Sequence, residues 1–112
     1  TVVWCMGMNN GDYGAINNSW LYNVEEMIKL CRDKNITLIL ATIPTCPIVD
    51  NTYKNEWVRN SGYRYVDFNK AVGVNGTSWY DGMLAGDNIH PTELGAKALA
   101  SRVCIDVPEI MQ

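Results

Sequence analysis

The sequence has no cluster of lysines and arginines: 9 basic residues are scattered among 12 acidic ones, for a net charge of −3. Without a basic stripe to track phosphates, nucleic acid is excluded as an expected partner. Long hydrophobic runs are missing too. The longest, residues 36–44, is less than half of the roughly 20 residues that a bilayer span requires, so no membrane span is expected. Cysteine pairs at metal-ligand spacing are absent. Cys5, Cys31, Cys46 and Cys104 stand far apart and His90 is the single histidine, so neither a metal nor any other cofactor is expected. The thiols of Cys5 and Cys31 fall in apolar patterns and read as buried. No G-x-G-x-x-G or G-x-x-x-x-G-K-[ST] loop is present, which argues against a nucleotide binder. An initiator Met and a signal-type segment are also lacking. Thr1-Val2-Val3-Trp4-Cys5-Met6 is a strand pattern from the first residue, so the chain reads as part of a longer protein whose compartment is left open.

What is present fits one domain over residues 1–112, with 47% hydrophobic residues. Apolar, β-branched stretches alternate with helical ones, the pattern of an α/β fold with a parallel sheet. Residues 1–6 form the first strand, and their unbroken hydrophobicity predicts cover on both faces. A Gly- and Asn-rich loop follows. The apolar residues Trp20, Val24, Met27, Ile28 and Cys31 recur at helical steps and predict a helix over 19–34. Residues 36–43 are the second strand, stopped by Pro44 and Pro47. A short helix is expected over 51–60, with Tyr53, Trp57 and Val58 toward the core. A weaker third strand over 63–68 belongs near a sheet edge. A loop over 74–88 then leads to a helix from about Thr92 to Cys104 through Leu94, Ala98, Leu99 and Val103.

Two polar stretches lie where open α/β sheets carry their sites, beyond the carboxyl ends of strands. One is Gly7-Met8-Asn9-Asn10; the other is Asp87-Asn88-Ile89-His90-Pro91. His90 is a candidate base, and a carboxylate at Asp87 would fix its tautomer and free the other ring nitrogen. Pro91 holds the residue before it in extended geometry. An ordinary loop or capping role explains the same histidine equally well. Asn9 can donate an amide to a developing oxyanion, and Gly7 permits close approach of substrate; as turn formers, both need no such role. Trp79 and Tyr80 are suited to lining a substrate site or, alternatively, to plugging the end of the core.

Together the two stretches resemble the G-x-N-D and D-x-x-H-P blocks of the SGNH/GDSL hydrolases, with Gly95 in its place after the second. They stand in the family's order, and the segments 36–43 and 65–68 are similar to its later strands, so the resemblance covers nearly the whole chain. It implies a three-layer α/β/α, flavodoxin-like sheet, incomplete at its N-terminal side, and a Ser-His-Asp ester hydrolase. His90 is then the base, Asp87 its orienting partner and Asn9 the oxyanion donor, with Gly7, Trp79 and Tyr80 at the substrate. Asn10 stands where the family has Asp, a change outside nucleophile and base. The family's G-D-S block is absent, and Ser19, Ser61, Ser78 and Ser101 lie in other contexts. The expected partner is therefore a small-molecule ester, an acetylated carbohydrate by preference, together with a missing N-terminal segment or another chain over the edge of the first strand. The competing expectation is a noncatalytic α/β module for carbohydrate binding or protein interaction.

Overall fold

The computed structural model describes residues 1–8 and 18–111. Three short strands, β1 (Val2–Trp4), β2 (Leu38–Ala41) and β3 (Tyr65–Val66), form a parallel sheet in the order β1-β2-β3. Val3 pairs with Ile39, and Leu40 with Tyr65. The helices are α1 (Asn18–Asp33), α2 (Thr52–Asn60), α3 (Phe68–Val72) and α4 (Glu93–Asp106), followed by a 3-10 turn at Pro108–Met111. The architecture is mixed α/β. Among the described residues no helix is long and apolar enough to cross a membrane.

The alternation of side chains along β2 divides the core. Leu40 packs with Trp20 and Val24 of α1 and Val58 of α2, and Trp20 meets Trp57 edge to face at 5.6 Å between ring centroids. Ile39 and Ala41 pack instead with Val66, Val107 and the half-buried Val103 and Ile110. Burying a side chain such as Leu40 or Val24 contributes about 1.5–3 kcal/mol. The central strand therefore contributes to both clusters.

Several expectations are corrected. β1 is not covered on both faces: it is an edge strand, with Val3 39% and Met6 59% exposed. Cys5 is likewise exposed whereas Cys31 is buried, and all four cysteines are free thiols. Helix α2 turns Lys54, Asn55 and Val58 inward and leaves Tyr53 outside. In α4, Leu94 is exposed. The segment expected as a loop contains the antiparallel hairpin β4 (Gly73–Asn75) and β5 (Ser78–Trp79), preceded by α3.

Beyond β3, Asp67 organises the chain. Its carboxylate accepts from Thr42 Oγ1 at 2.8 Å, Lys70 N at 3.1 Å and the Arg59 guanidinium at 2.9 and 3.0 Å. Burial pushes its pKa up, but the Arg59 and Thr42 hydrogen bonds outweigh that and hold it below the usual carboxylate value. Its backbone N–H donates to Asp106 of α4, which Arg102 also binds.

Candidate active site

The segment around His90 is shaped by its own backbone. Leu84 and Pro91 bridge antiparallel, Ala85 N donates to His90 O at 2.8 Å, and Asn88 N donates to Ala85 O at 3.0 Å. Asn88 takes a positive φ of 63° to close the turn, a conformation that Asn tolerates better than most residues. Thr92 then caps α4, its hydroxyl accepting from Gly95 N.

Asp87 uses both carboxylate oxygens within this turn. Oδ1 accepts from Ile89 N and His90 N, each at 2.9 Å, and Oδ2 lies 2.6 Å from His90 Nδ1. The His90 backbone hydrogen bond, then its ring hydrogen bond and that of Ile89, draw the Asp87 pKa down to about 2. Asp87 is ionised near neutral pH and acts only as an acceptor, so His90 Nδ1 carries the proton. Nε2 of the neutral ring is left with a lone pair, which is what a general base requires. The side chain is 73% exposed, open to solvent on one side.

On the other side His90 borders a cleft of about 440 Å³ whose remaining walls are Met8, Pro44, Trp79, Ile89, Pro91 and Leu99. Met8 follows β1, Pro44 follows β2, Trp79 ends the hairpin and Leu99 lies in α4. The cleft thus sits beyond the carboxyl ends of two parallel strands, as expected for an open α/β sheet. Trp79 is fixed by its indole N–H, which donates to Thr45 O at 2.7 Å; Thr45 N in turn donates to Asn69 Oδ1.

The expected site residues therefore separate. Asp87 and His90 are joined by a hydrogen bond, and Trp79 shares the cleft with His90. Tyr80 is about half exposed and is not in the lining. Gly7 is buried under Trp20, and a Cβ there would stand 2.5 Å from the indole and 2.8 Å from Ile43 Cδ1. Its φ of +134° and this packing account for the glycine without a ligand. Asn9 lies outside the described residues, next in sequence to the cleft residue Met8. Ser19, Ser61, Ser78 and Ser101 do not line the cleft, and among the described residues no Thr, Cys or Lys does so. Pro44 and Leu99 were anticipated only as the stop of the second strand and a residue of the last helix, not as lining, while Ile89 belongs to the stretch expected to carry the site.

Among the described residues no three His, Cys, Asp or Glu side chains converge to hold a metal ion. No family model matches the chain, and no curated protein matches it.

Proposed function

We propose that the chain is the histidine-bearing part of a serine ester hydrolase of the SGNH/GDSL type, its sheet belonging to a three-layer, flavodoxin-like domain. The single observation that carries this reading is the 2.6 Å pair of Asp87 and His90, which leaves Nε2 available beside an apolar cleft at the carboxyl edge of a parallel sheet.

The described cleft offers no hydroxyl or thiol nucleophile, so the serine belongs to the wider protein. In the reaction His90 Nε2 takes the serine proton as Oγ attacks the ester carbonyl. The tetrahedral oxyanion accepts a hydrogen bond from the Asn9 amide. Collapse expels the alcohol, which leaves with the proton held on His90, and water repeats the sequence on the acyl-serine to release the acid. Asp87 stays ionised and stabilises the imidazolium.

The lining bears on substrate. A sugar ring brings hydroxyls that need polar partners, and among the described residues of the wall only His90 has a polar group not already engaged elsewhere, since the Trp79 indole N–H is taken by Thr45 O. The acyl half of the ester suits this surface better than a carbohydrate half, and an acetylated carbohydrate would keep its sugar outside.

The test is hydrolysis of chromogenic acetyl and hexanoyl esters by the full-length protein that contains this chain. His90→Ala should lower turnover by several orders of magnitude. Asn9→Ala should lower it about 10² to 10³-fold with little change in KM. Full turnover in a folded His90→Ala variant would sink the mechanism. The absence of a nucleophile from the described cleft favours one other reading, a noncatalytic binding module. Acyl or sugar binding without turnover by the full-length protein would select it.

A further inference from the structure

Helix α2 buries a polar face. Lys54 is 1% exposed, and Asn51 and Asn55, one turn apart beside it, are equally enclosed. An ammonium taken out of water is costly unless it is held by acceptors, and two of those acceptors lie at the exit of β1 and the start of α2. Lys54 Nζ donates to Gly7 O at 2.9 Å and to Asn51 Oδ1 at 3.2 Å. The first contact fixes the chain as it leaves β1, immediately before Met8.

The second contact sets the orientation of an amide. With Oδ1 turned to the ammonium, the Asn51 NH2 must point the other way, and it donates to Pro44 O at 3.2 Å and approaches Met8 Sδ at 3.6 Å. Met8 and Pro44 are both walls of the His90 cleft. Asn51 N also donates to Thr45 Oγ1, and Asn55 closes both backbone groups of Ile43 at 2.6 and 2.7 Å. One helix face therefore ties the exits of β1 and β2 to each other.

An apolar residue at position 54 would fill the same space without a desolvation cost. It would leave the Gly7 carbonyl and the Asn51 amide without their shared donor. Hydrogen bonding to a carbonyl also polarises the peptide that bears it, here the Gly7–Met8 unit that leads to Asn9. We propose that Lys54 is a positioning residue, setting the turn after β1 and the Asn51 amide so that Met8 faces His90. This assignment rests on the ester-hydrolase reading for its catalytic consequence, but not for its geometry.

The experiment uses Lys54→Met, which keeps an apolar stem and removes the donor, and Lys54→Gln, which keeps a neutral donor. Methyl-labelled methionine NMR on the chain follows Met8 and the His90 ring while pH is lowered across the range in which imidazoles ordinarily gain a proton. In the native chain the Met8 methyl should shift in step with the His90 ring. In Lys54→Met, with Trp20–Trp57 shifts retained as the sign of an intact core, that response should be lost; Lys54→Gln should recover part of it. Should Lys54→Met fail to fold, Lys54→Gln decides alone, by a reduced response. A full Met8 response in either folded variant overturns the proposal. In the ester-hydrolysing full-length protein, Lys54→Met should lower kcat by about 10- to 100-fold, the scale of a small misplacement of reacting groups, with KM changed less than about twofold. An unchanged kcat also overturns it. A native protein without ester turnover counts against the hydrolase reading alone, since the NMR response still decides the placement.

Discussion

Replacing Gly95 by alanine sets two effects of opposite sign against each other. Gly95 lies in the first turn of α4, and helix propensity alone makes Gly95→Ala stabilising by about 1 kcal/mol. The local packing opposes this. A Cβ there would sit 2.3 Å from the Met83 carbonyl oxygen and 3.0 Å from Pro91 Cβ. Ordinary contact requires the carbonyl to retreat by about 1 Å, yet it accepts from Thr92 N at 2.9 Å and so anchors the start of α4 to the loop. Overpacking costs about 1–3 kcal/mol, and a weakened hydrogen bond adds about 1 kcal/mol. The balance is a net loss of roughly 1–3 kcal/mol once the propensity gain is subtracted. At about 4 °C per kcal/mol for a chain of this size, Tm should fall by roughly 4–12 °C. Thermal unfolding followed by far-UV circular dichroism measures this directly. Because the displaced segment includes Pro91, the His90 ring resonances should move as well. A Tm equal to or above the native value would show that the close packing of α4 on Met83 is wrong, and with it the placement of the His90 turn.

The Asp87 turn should respond to acid with a definite sign. Its folded pKa of about 2 lies below the ordinary carboxylate value, so its contribution is complete above about pH 4 and is lost as pH falls through about 2; the Ile89 and His90 amide resonances should shift over that window and stay constant above it. In the full-length protein, Asp87→Asn should reduce turnover by up to about 10⁴-fold through the wrong His90 tautomer, and an undiminished rate would remove Asp87 from the site. Trp79→Ala opens the cleft wall, so the ratio of kcat/KM for hexanoyl over acetyl esters should drop about tenfold or more; an unchanged ratio would place the acyl chain elsewhere.

How much of this was legible follows from how local each feature is. Asp87 and His90 interact across three residues within one turn, so their spacing allowed the pair to be named, although it fitted an ordinary loop or capping role equally well. The β2 stretch was equally plain, because a buried β-branched run needs no partner to be identified. β1 carried the same run, but an edge position depends on what stands beside the strand, which residues 1–6 do not encode. In α2 the aromatic Tyr53 suggested the inner face, whereas the burial of Lys54 depends on acceptors such as the Gly7 carbonyl, 47 residues away in the sequence. The hairpin had a sequence mark in Asn75-Gly76, the dipeptide favoured in tight β-turns, with strands too short for periodicity to register. Pro44 and Leu99 reach the cleft through tertiary packing alone.

The two margins of the sheet are unlike, and this limits how chains can join. At β3 the backbone N–H of Asp67 is taken by the Asp106 carboxylate, while Arg64 binds Glu109 and the Asp106 carbonyl. At β1 no further strand is paired among the described residues, and Val3 and Met6 are exposed. An added strand finds β1 bare among the described residues, whereas beside β3 it has first to displace the Asp106 carboxylate from Asp67 N. The sheet is thus polarised across its width, with one margin ready to lengthen and the other already carrying a side-chain acceptor.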